Sequence, residues 1–286
     1  MILVTGASGH IGSEVCRFLL NSGRDVLAVD VVSDVAKRVV HCDLTQGNEI
    51  ERLFRAYPVD RVIHAAAVLP TASQANPLAG ADVNLAASIA LLRESVRAHV
   101  QRFLFVSSMS VYGALSRERS VSEDDPAIPD EPYGGAKRAI ELVGAALRRT
   151  LELEFTSLRV ARVIGAGATA TSSPWRSQMF ETHIGDSSIS IPFAPETVLS
   201  LVHVEDVARM LGKLVGAEKV RHTVYNAPAE LWKAGQLKAM LEEHTGHRVE
   251  LGSSDAGGPA CDGTRFAQEF GVTLRGLEER LKERTE

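Results

Sequence analysis

The sequence predicts an α/β protein with a doubly wound parallel sheet and a small lobe built from its C-terminal part. Three observations carry that expectation. Short apolar runs alternate with helix-length amphipathic stretches as far as Val160, as when parallel strands are covered by helices on both faces. The first run, Ile2-Leu3-Val4, leads into glycines spaced Gly6-x-x-Gly9-x-x-Gly12 and then into a helical stretch from Ser13. Beyond Gly165 the alternation gives way to shorter, less regular segments. The expected division is residues 1–164 for the sheet domain and 165–286 for a mixed segment that forms the lobe and returns to the sheet.

Taken in order, Ile2-Leu3-Val4 reads as a buried strand because it is continuously apolar. Asn21-Ser22-Gly23-Arg24 is a turn, and Asp25-Val26-Leu27-Ala28-Val29-Asp30 is the second strand. Arg38-Val39-Val40-His41-Cys42 is a short third strand, residues 49–57 an amphipathic helix, and Arg61-Val62-Ile63-His64 the fourth strand. A helix is expected to open at Asp82 and run to residue 99, before a fifth strand, Arg102-Phe103-Leu104-Phe105-Val106, that ends in Ser107-Ser108. A polar, acidic surface loop over 116–131 delivers the helix that begins Pro132-Tyr133, and 154–160 is the sixth strand. Residues 165–174 read as a loop, 175–183 as a short helix and 188–193 as extended. Leu201-Val202-His203-Val204-Glu205-Asp206 reads as a strand end capped into a helix by an acid. Thr223-Val224-Tyr225-Asn226 is strand-like, 235–244 helical, and 264–284 holds two short helices around Gly271-Val272.

With 286 residues, 45% apolar and 23% charged, and a net charge of −5, the composition is that of a soluble globular protein. Mild acidity gives no support to nucleic-acid binding, which calls for a basic patch. No apolar run approaches the length needed to span a bilayer. Because the first core strand begins at Ile2, no signal peptide is expected and the protein is expected in the cytoplasm. Cys16, Cys42 and Cys261 have no metal-ligand spacing, so no metal is expected. Cys16 reads as a buried small side chain rather than a redox group.

The glycine-rich strand-to-helix turn suits a phosphate. The first glycine lets the chain turn, the second lets the backbone approach a pyrophosphate, and the third lets helix and strand pack closely. Unpaired N–H groups at the helix N-terminus favour an anion there. Asp30 stands 18 residues after Gly12, where an acid accepts hydrogen bonds from the adenosine ribose and repels a 2′-phosphate. That favours NAD over NADP. Tyr133 and Lys137 share one helix face, and an ammonium beside a phenol favours phenolate, making the tyrosine a usable acid/base. Ser108, at a strand's carboxyl end, is placed to hydrogen-bond the same substrate oxygen. Ala65-Ala66-Ala67 would admit a flat ligand or allow close helix packing.

Together these pieces resemble the extended short-chain dehydrogenase/reductases of the NAD-dependent epimerase/dehydratase family, of the UDP-galactose 4-epimerase type. The matching stretches are Thr5-Gly6-x-x-Gly9-x-x-Gly12, Asp30, Asp43-Leu44, His64-Ala65-Ala66-Ala67, Asn84, Ser107-Ser108 with Val111-Tyr112-Gly113, Tyr133-x-x-x-Lys137, Leu158-Arg159, and His203-Val204-Glu205-Asp206-Val207-Ala208. The resemblance implies a Rossmann-type fold with a small C-terminal substrate lobe, an NAD cofactor and a hydride moved at a secondary alcohol carbon. It implies Tyr133 as the proton donor/acceptor, Lys137 as its partner on the nicotinamide ribose, and Ser108 polarising the carbonyl. Around the cofactor it implies Gly6, Ser8, Gly9, His10, Ile11, Gly12, Asp30, Asp43, Leu44, Ala65, Ala66, Ala67, Asn84, Val106 and Val163, with Tyr133 and Lys137. It also implies a homodimer formed through the helices beginning near Asp82 and at Tyr133.

The departures bear on the substrate. Met109 and Ser110 stand where the family's dehydratases carry Asp-Glu, which argues against a 4,6-dehydratase. Leu199 stands where nucleotide-sugar members carry a diphosphate-gripping arginine, and no second arginine is evident in Gly257-Gly258-Pro259-Ala260-Cys261-Asp262. Arg162 replaces the usual asparagine. Charge-assisted phosphate contacts are strong, so their absence points to a rearranged diphosphate site or to a smaller substrate. Ser108, Met109, Ser110, Tyr133, Arg162 and Arg176 are the expected substrate contacts, although the two arginines could equally be salt-bridging. The expected function is a nucleotide-sugar 4-epimerase. The alternative is an NAD-dependent dehydrogenase or ketoreductase acting on a smaller sugar, sugar acid or polyol.

Overall fold

A computed structural model describes residues 1–116, 120–151, 153–167, 173–181 and 188–285. Strand β1 (Ile2–Thr5) is wholly buried and passes through the glycine turn into α1 (His10–Asn21) and β2 (Val26–Asp30). Then come β3 (Val40–His41), α2 (Gly47–Ala56) and β4 (Arg61–His64). The helix expected from Asp82 starts earlier. Helices α3 (Pro70–Ala75) and α4 (Pro77–Ala81) each begin at a proline, and a π-helical turn (Asp82–Ala87) runs on into α5 (Ser88–Arg97). Proline suits a first helical turn because its missing N–H would have no partner there.

Strand β5 (Arg102–Ser108) is buried at every residue and passes into a 3-10 segment (Met109–Ser116). Within the expected surface loop lies β6 (Ser120–Val121); residues 117–119 lie outside the described residues. The long helix α6 (Pro132–Thr150) follows, then β7 (Glu154–Val160) and β8 (Arg162–Ile164). The helix expected over 175–183 is shorter: α7 spans Trp175–Gln178, and residues 182 and 183, like 168–172 of the expected loop, lie outside the described residues.

Six parallel strands were expected; the main sheet has seven, in the order β11-β7-β5-β4-β1-β2-β3, where β11 is Val224–Asn226. Each neighbouring pair is parallel. The edge strand β11 therefore comes from the C-terminal half and adds to β7 through Val224↔Ser157 and Tyr225↔Leu158. Between β8 and β11 lie β9 (Ser188–Phe193), β10 (Val198–His203) and α8 (Val204–Gly216). Helix α8 also returns to the sheet domain, where Val207, Met210, Leu211 and Leu214 share a core with Val15 and Leu19 of α1. Its cap corrects the sequence expectation. The His203 ring, not an acid, accepts the Glu205 N–H at 3.3 Å, and Glu205 and Asp206 occupy the first turn instead, where negative charge complements the helix dipole.

The remaining elements are β12 (Glu230–Lys233), α9 (Ala234–Thr245), β13 (Arg248–Ser254), β14 (Ala260–Cys261), α10 (Thr264–Phe270) and α11 (Leu277–Thr285). Strand β10 lies between β8 and β12, and β13 pairs with β9. These enclose a second core of Trp175, Phe180, Ile189, Ile191, Leu199, Leu237 and Leu241. Among the described residues no helix is long and apolar enough to cross a membrane.

Helix α6 is pressed against the sheet through Gly144, where an added Cβ would stand 2.2 Å from the Phe155 ring. The gain in helix propensity from alanine cannot offset a clash that forces ring or helix to move. Gly144→Ala is expected to destabilise the fold by about 1–3 kcal/mol, read as a lower urea midpoint with an unchanged m-value.

Candidate active site

The carboxyl ends of β1, β2, β4, β5 and β7 open on one cleft of about 1500 Å3. Its floor is the glycine turn. Gly6 has φ +70°, and an added Cβ there would lie 2.6 Å from the Ala66 nitrogen; at Gly12 it would lie 2.0 Å from the Gly6 oxygen. The turn is therefore held closed on β4 and on its own helix, so only glycine fits at either place. Gly9, the N-cap of α1, supplies no side-chain cap, and the first helical turn carries no acid. The positive end of the helix dipole consequently faces the cleft unopposed, which suits a phosphate. His10 also lines the cleft, and its buried Nε2 has no hydrogen-bond partner among the described residues.

Asp30 is fixed at the end of β2. One carboxylate oxygen accepts the Ser8 N–H and the other the Val32 N–H, both at 3.0 Å. Two main-chain donors thus set its orientation towards the cleft. Asp43 accepts from the Thr45 N–H at 2.9 Å and its hydroxyl at 2.8 Å, bonds that hold its carboxyl below the usual range.

Tyr133 and Lys137 stand on the buried face of α6. The Ser108 hydroxyl hydrogen-bonds the Tyr133 phenol and accepts the Ser110 N–H at 3.2 Å. Lys137 Nζ donates to the Val106 carbonyl at 2.8 Å and lies 4.6 Å from the Phe105 ring centre. The expectation that the ammonium would lower the tyrosine pKa is not met. Burial pushes the phenol up, the Glu131 carboxylate adds to that, and the Ser108 bond offsets only part. Lys137 is itself brought down to about 7 by burial, against the pull of Glu141. Desolvation favours the neutral form of both groups, so the pair rests as phenol and amine in balance with ammonium.

A buried network supports these groups. Glu141, one helical turn after Lys137, accepts from Arg159 Nε at 2.9 Å, Arg159 Nη2 at 2.7 Å and the Ser107 hydroxyl at 2.7 Å. Arg159 Nη1 donates to the Tyr112 hydroxyl at 2.8 Å, which in turn donates to Asn226 Oδ1 at 2.7 Å.

Arg162 and Arg176 line the same cleft as Met109 and Ser110. Arg162 Nη1 donates to the Gly257 carbonyl at 3.0 Å, and its guanidinium lies 4.9 Å from the Phe193 ring centre. Burial, with Arg176 nearby, brings it down to about 10. Neither arginine has an ion-pair partner among the described residues. Leu199, at the position of the missing arginine, is fully buried in the lobe core.

The cleft brings together Gly6, Ser8, Gly9, His10, Ile11, Gly12, Asp30, Asp43, Leu44, Ala65, Ala66, Ala67, Val106, Ser108, Tyr133, Lys137 and Val163. Asn84 alone of the expected cofactor residues is not part of the cleft lining. It is buried behind the wall, and its amide accepts the Val68 N–H at 2.8 Å and donates to the Val68 carbonyl at 2.9 Å. It shapes the cleft by bracing Val68, which does line it. Sequence reasoning missed Glu131, which caps α6 by accepting the Gly134 N–H at 2.7 Å and the Tyr133 N–H at 3.2 Å. The dipeptide Glu131-Pro132 is the signal that marks it: an acceptor followed by proline at the first helical position. It also missed Ala256, Gly258 and Pro259, which close one side of the cleft.

A family model described as the NAD dependent epimerase/dehydratase family matches residues 2–227. A UDP-glucose 4-epimerase of Lactobacillus helveticus is 31% identical over 64% of this chain and 57% of its own length. The chain spans only about half to three-fifths of the length of the first curated relatives it matches. A D-erythronate dehydrogenase of Cupriavidus necator is 30% identical over 84% of this chain and 80% of its own. The solved structure of MoeE5 in complex with UDP-glucose and NAD is 30% identical, with a TM-score of 0.84 covering 99% of this chain and 97% of that one.

The buried lysine has a consequence for pH. Its folded pKa of about 7 lies below the 10.5 of the free side chain, so between those values the unfolded chain binds the extra proton and stability rises with pH. Wild-type unfolding free energy is expected to gain about 1–2 kcal/mol from pH 7 to 9, and Lys137→Met to lose that slope, as measured by urea titration at each pH.

Proposed function

The chain belongs to the NAD-dependent epimerase/dehydratase family, and on that premise we propose that it uses NAD to move a hydride at a secondary alcohol carbon of an anionic, sugar-like substrate. The observation that carries this reading is convergence: the open N-terminus of α1, the oriented Asp30 carboxylate and the Ser108–Tyr133 pair all line one cleft. The glycine turn fits a pyrophosphate and Asp30 fits ribose hydroxyls. When bound, NAD supplies the hydride acceptor.

Within that reading the chain's own residues bind, orient and move one proton. Ser108 and Tyr133 present two hydroxyls to the substrate oxygen, so a carbinol there is aligned before its C–H bond breaks. On oxidation the hydroxyl proton passes to Tyr133 while the phenol's own proton goes to the neutral Lys137 amine; on reduction the transfers run in reverse. Because burial keeps the phenol protonated, the resting site is set for the donor role. Lys137, poised near neutrality, is the nearby group that takes on charge when the phenol gives up its proton.

Two specific reactions fit. Nucleotide-sugar 4-epimerisation is supported by the naming of the Lactobacillus helveticus relative and by the UDP-glucose and NAD held in the MoeE5 structure. Net oxidation of a smaller sugar, sugar acid or polyol is supported by the buried Leu199, and by the D-erythronate dehydrogenase that matches over most of both chains. NADH accumulating in step with substrate loss identifies the second; product formed without added cofactor identifies the first. The reading carries with it residues 1–164 as the cofactor-binding part and 165–286 as the source of the substrate lobe, in a cytoplasmic enzyme. It also includes a homodimer through α5 and α6, supported by the exposed apolar Ile89 and Leu142 on those helices.

Tyr133→Phe is expected to lower turnover by about 10²–10⁴ while calorimetry still finds NAD bound. Retention of full turnover would sink the reading. Asp30→Ala is expected to weaken NAD and narrow its advantage over NADP, measured as the ratio of the two dissociation constants.

A further inference from the structure

Two half-buried arginines line the substrate side of the cleft, and among the described residues neither makes an ion pair. The two come from adjoining segments, the Arg176 carbonyl accepting the Gly165 N–H three residues after Arg162, and the Arg176 charge is felt at Arg162. Buried Arg176 Nε has no hydrogen-bond partner among the described residues. Like charges held together out of water are costly unless an anion joins them. The fold nevertheless fixes the pair. Arg162 opens β8, is tied to the Gly257 carbonyl and lies beside the Phe193 ring, and the Arg176 carbonyl accepts the Gly165 N–H at 3.1 Å.

The wall beside Arg162 reaches to the reactive end of the cleft. Segment 256–259, which Arg162 holds through Gly257, lies over the residue next to Ser108: a Cβ at Gly258 would stand 3.2 Å from Met109 Cε. The cations, the wall and the reactive hydroxyls are thus parts of one end of the cleft. Farther into the lobe, Leu199 and Leu201 are packed into the core and offer no charge.

We propose that Arg162 and Arg176 seat the carboxylate of a compact hydroxy acid, an aldonate- or uronate-type sugar acid that carries no nucleotide. The proposal rests on the hydride-transfer reading above and narrows its substrate class. A planar carboxylate matches the guanidinium fork, which binds it through paired, charge-assisted hydrogen bonds. Holding the acid by its charged end beside the reacting carbon also decides the reaction type. Inversion requires the keto intermediate to turn its other face to the same hydride, and an anchor so close to that carbon prevents the turn. The reaction is then a net oxidation: the carbinol C–H pair leaves as hydride to NAD+, the O–H proton goes to Tyr133 while the phenol's own proton passes to the neutral Lys137 amine, and a keto acid, NADH and a lysine ammonium result.

The test is a turnover panel with the full-length protein and NAD+: aldonates and uronates of four to six carbons, the matching polyols, and UDP-glucose and UDP-galactose. At least one acid is expected to yield NADH, with its neutral polyol about 10- to 100-fold poorer in kcat/KM, the scale of a lost charge-assisted hydrogen bond. Arg162→Gln and Arg176→Gln are expected to raise KM for that acid by a similar factor, leaving kcat and NAD affinity close to wild type. The polyol comparison needs no variant, so it decides the matter even if a substitution harms folding. Better kcat/KM for either UDP-sugar than for every acid overturns the proposal and leaves the hydride-transfer reading intact. NADH from an acid whose KM ignores both substitutions overturns it too. Failure to bind NAD at all removes the reading beneath it.

Discussion

The buried ion pair between Glu141 and Arg159 joins the helix that carries the tyrosine and lysine to the sheet that carries the serine. Arg159 is 2% exposed and Glu141 1%. Taking both charges out of water costs several kcal/mol per ion, and further bonds offset that cost: Ser107 and Arg138 also donate to the carboxylate, and Tyr112 accepts from the guanidinium. A pair this fully bonded holds its geometry, because any shift strands a charge. Lys137 lies one turn before Glu141, so the network fixes that turn of α6 against β5. The Glu141 charge also limits how far burial can lower the lysine.

Much of this was legible because it is local. Gly6, Gly9 and Gly12 act through backbone space, Asp30 through its position at a strand end, and Tyr133 and Lys137 through helical spacing; each signal survives without knowledge of the fold. What sequence could not give depends on distant partners. That the Asn84 amide braces the main chain of Val68 is visible only in the fold. The acids after His203 look like caps until the histidine ring takes the Glu205 N–H. The tyrosine pKa went in the opposite direction to that expected because spacing shows a neighbouring charge but not the desolvation that opposes it. The 256–259 wall is remote in sequence from Met109, and nothing in its composition announces the contact.

The cleft is where stability is spent on function. Lys137 is buried with its charge half suppressed, Arg162 and Arg176 lack balancing acids among the described residues, and His10 Nε2 has no partner there. Each would be an error in a site meant only to hold a fold together. They cluster around one cavity, while the aromatic stack of Phe103, Phe105 and Phe155 under the sheet is conventional packing.

The edge strand Val224–Asn226 bears on how the molecule is made. It pairs with β7 only after the ribosome has passed residue 226, and Val207, Met210 and Leu211 likewise arrive late to cover Val15 and Leu19. Until then a nascent chain presents the unpaired edge of β7 and the bare apolar face of α1, both templates for association with other chains. Closure of the sheet is a contact of long sequence separation, slow by its loop entropy. A fragment ending at residue 164 would keep the glycine turn and the tyrosine–lysine pair, yet it would carry those two exposed surfaces permanently.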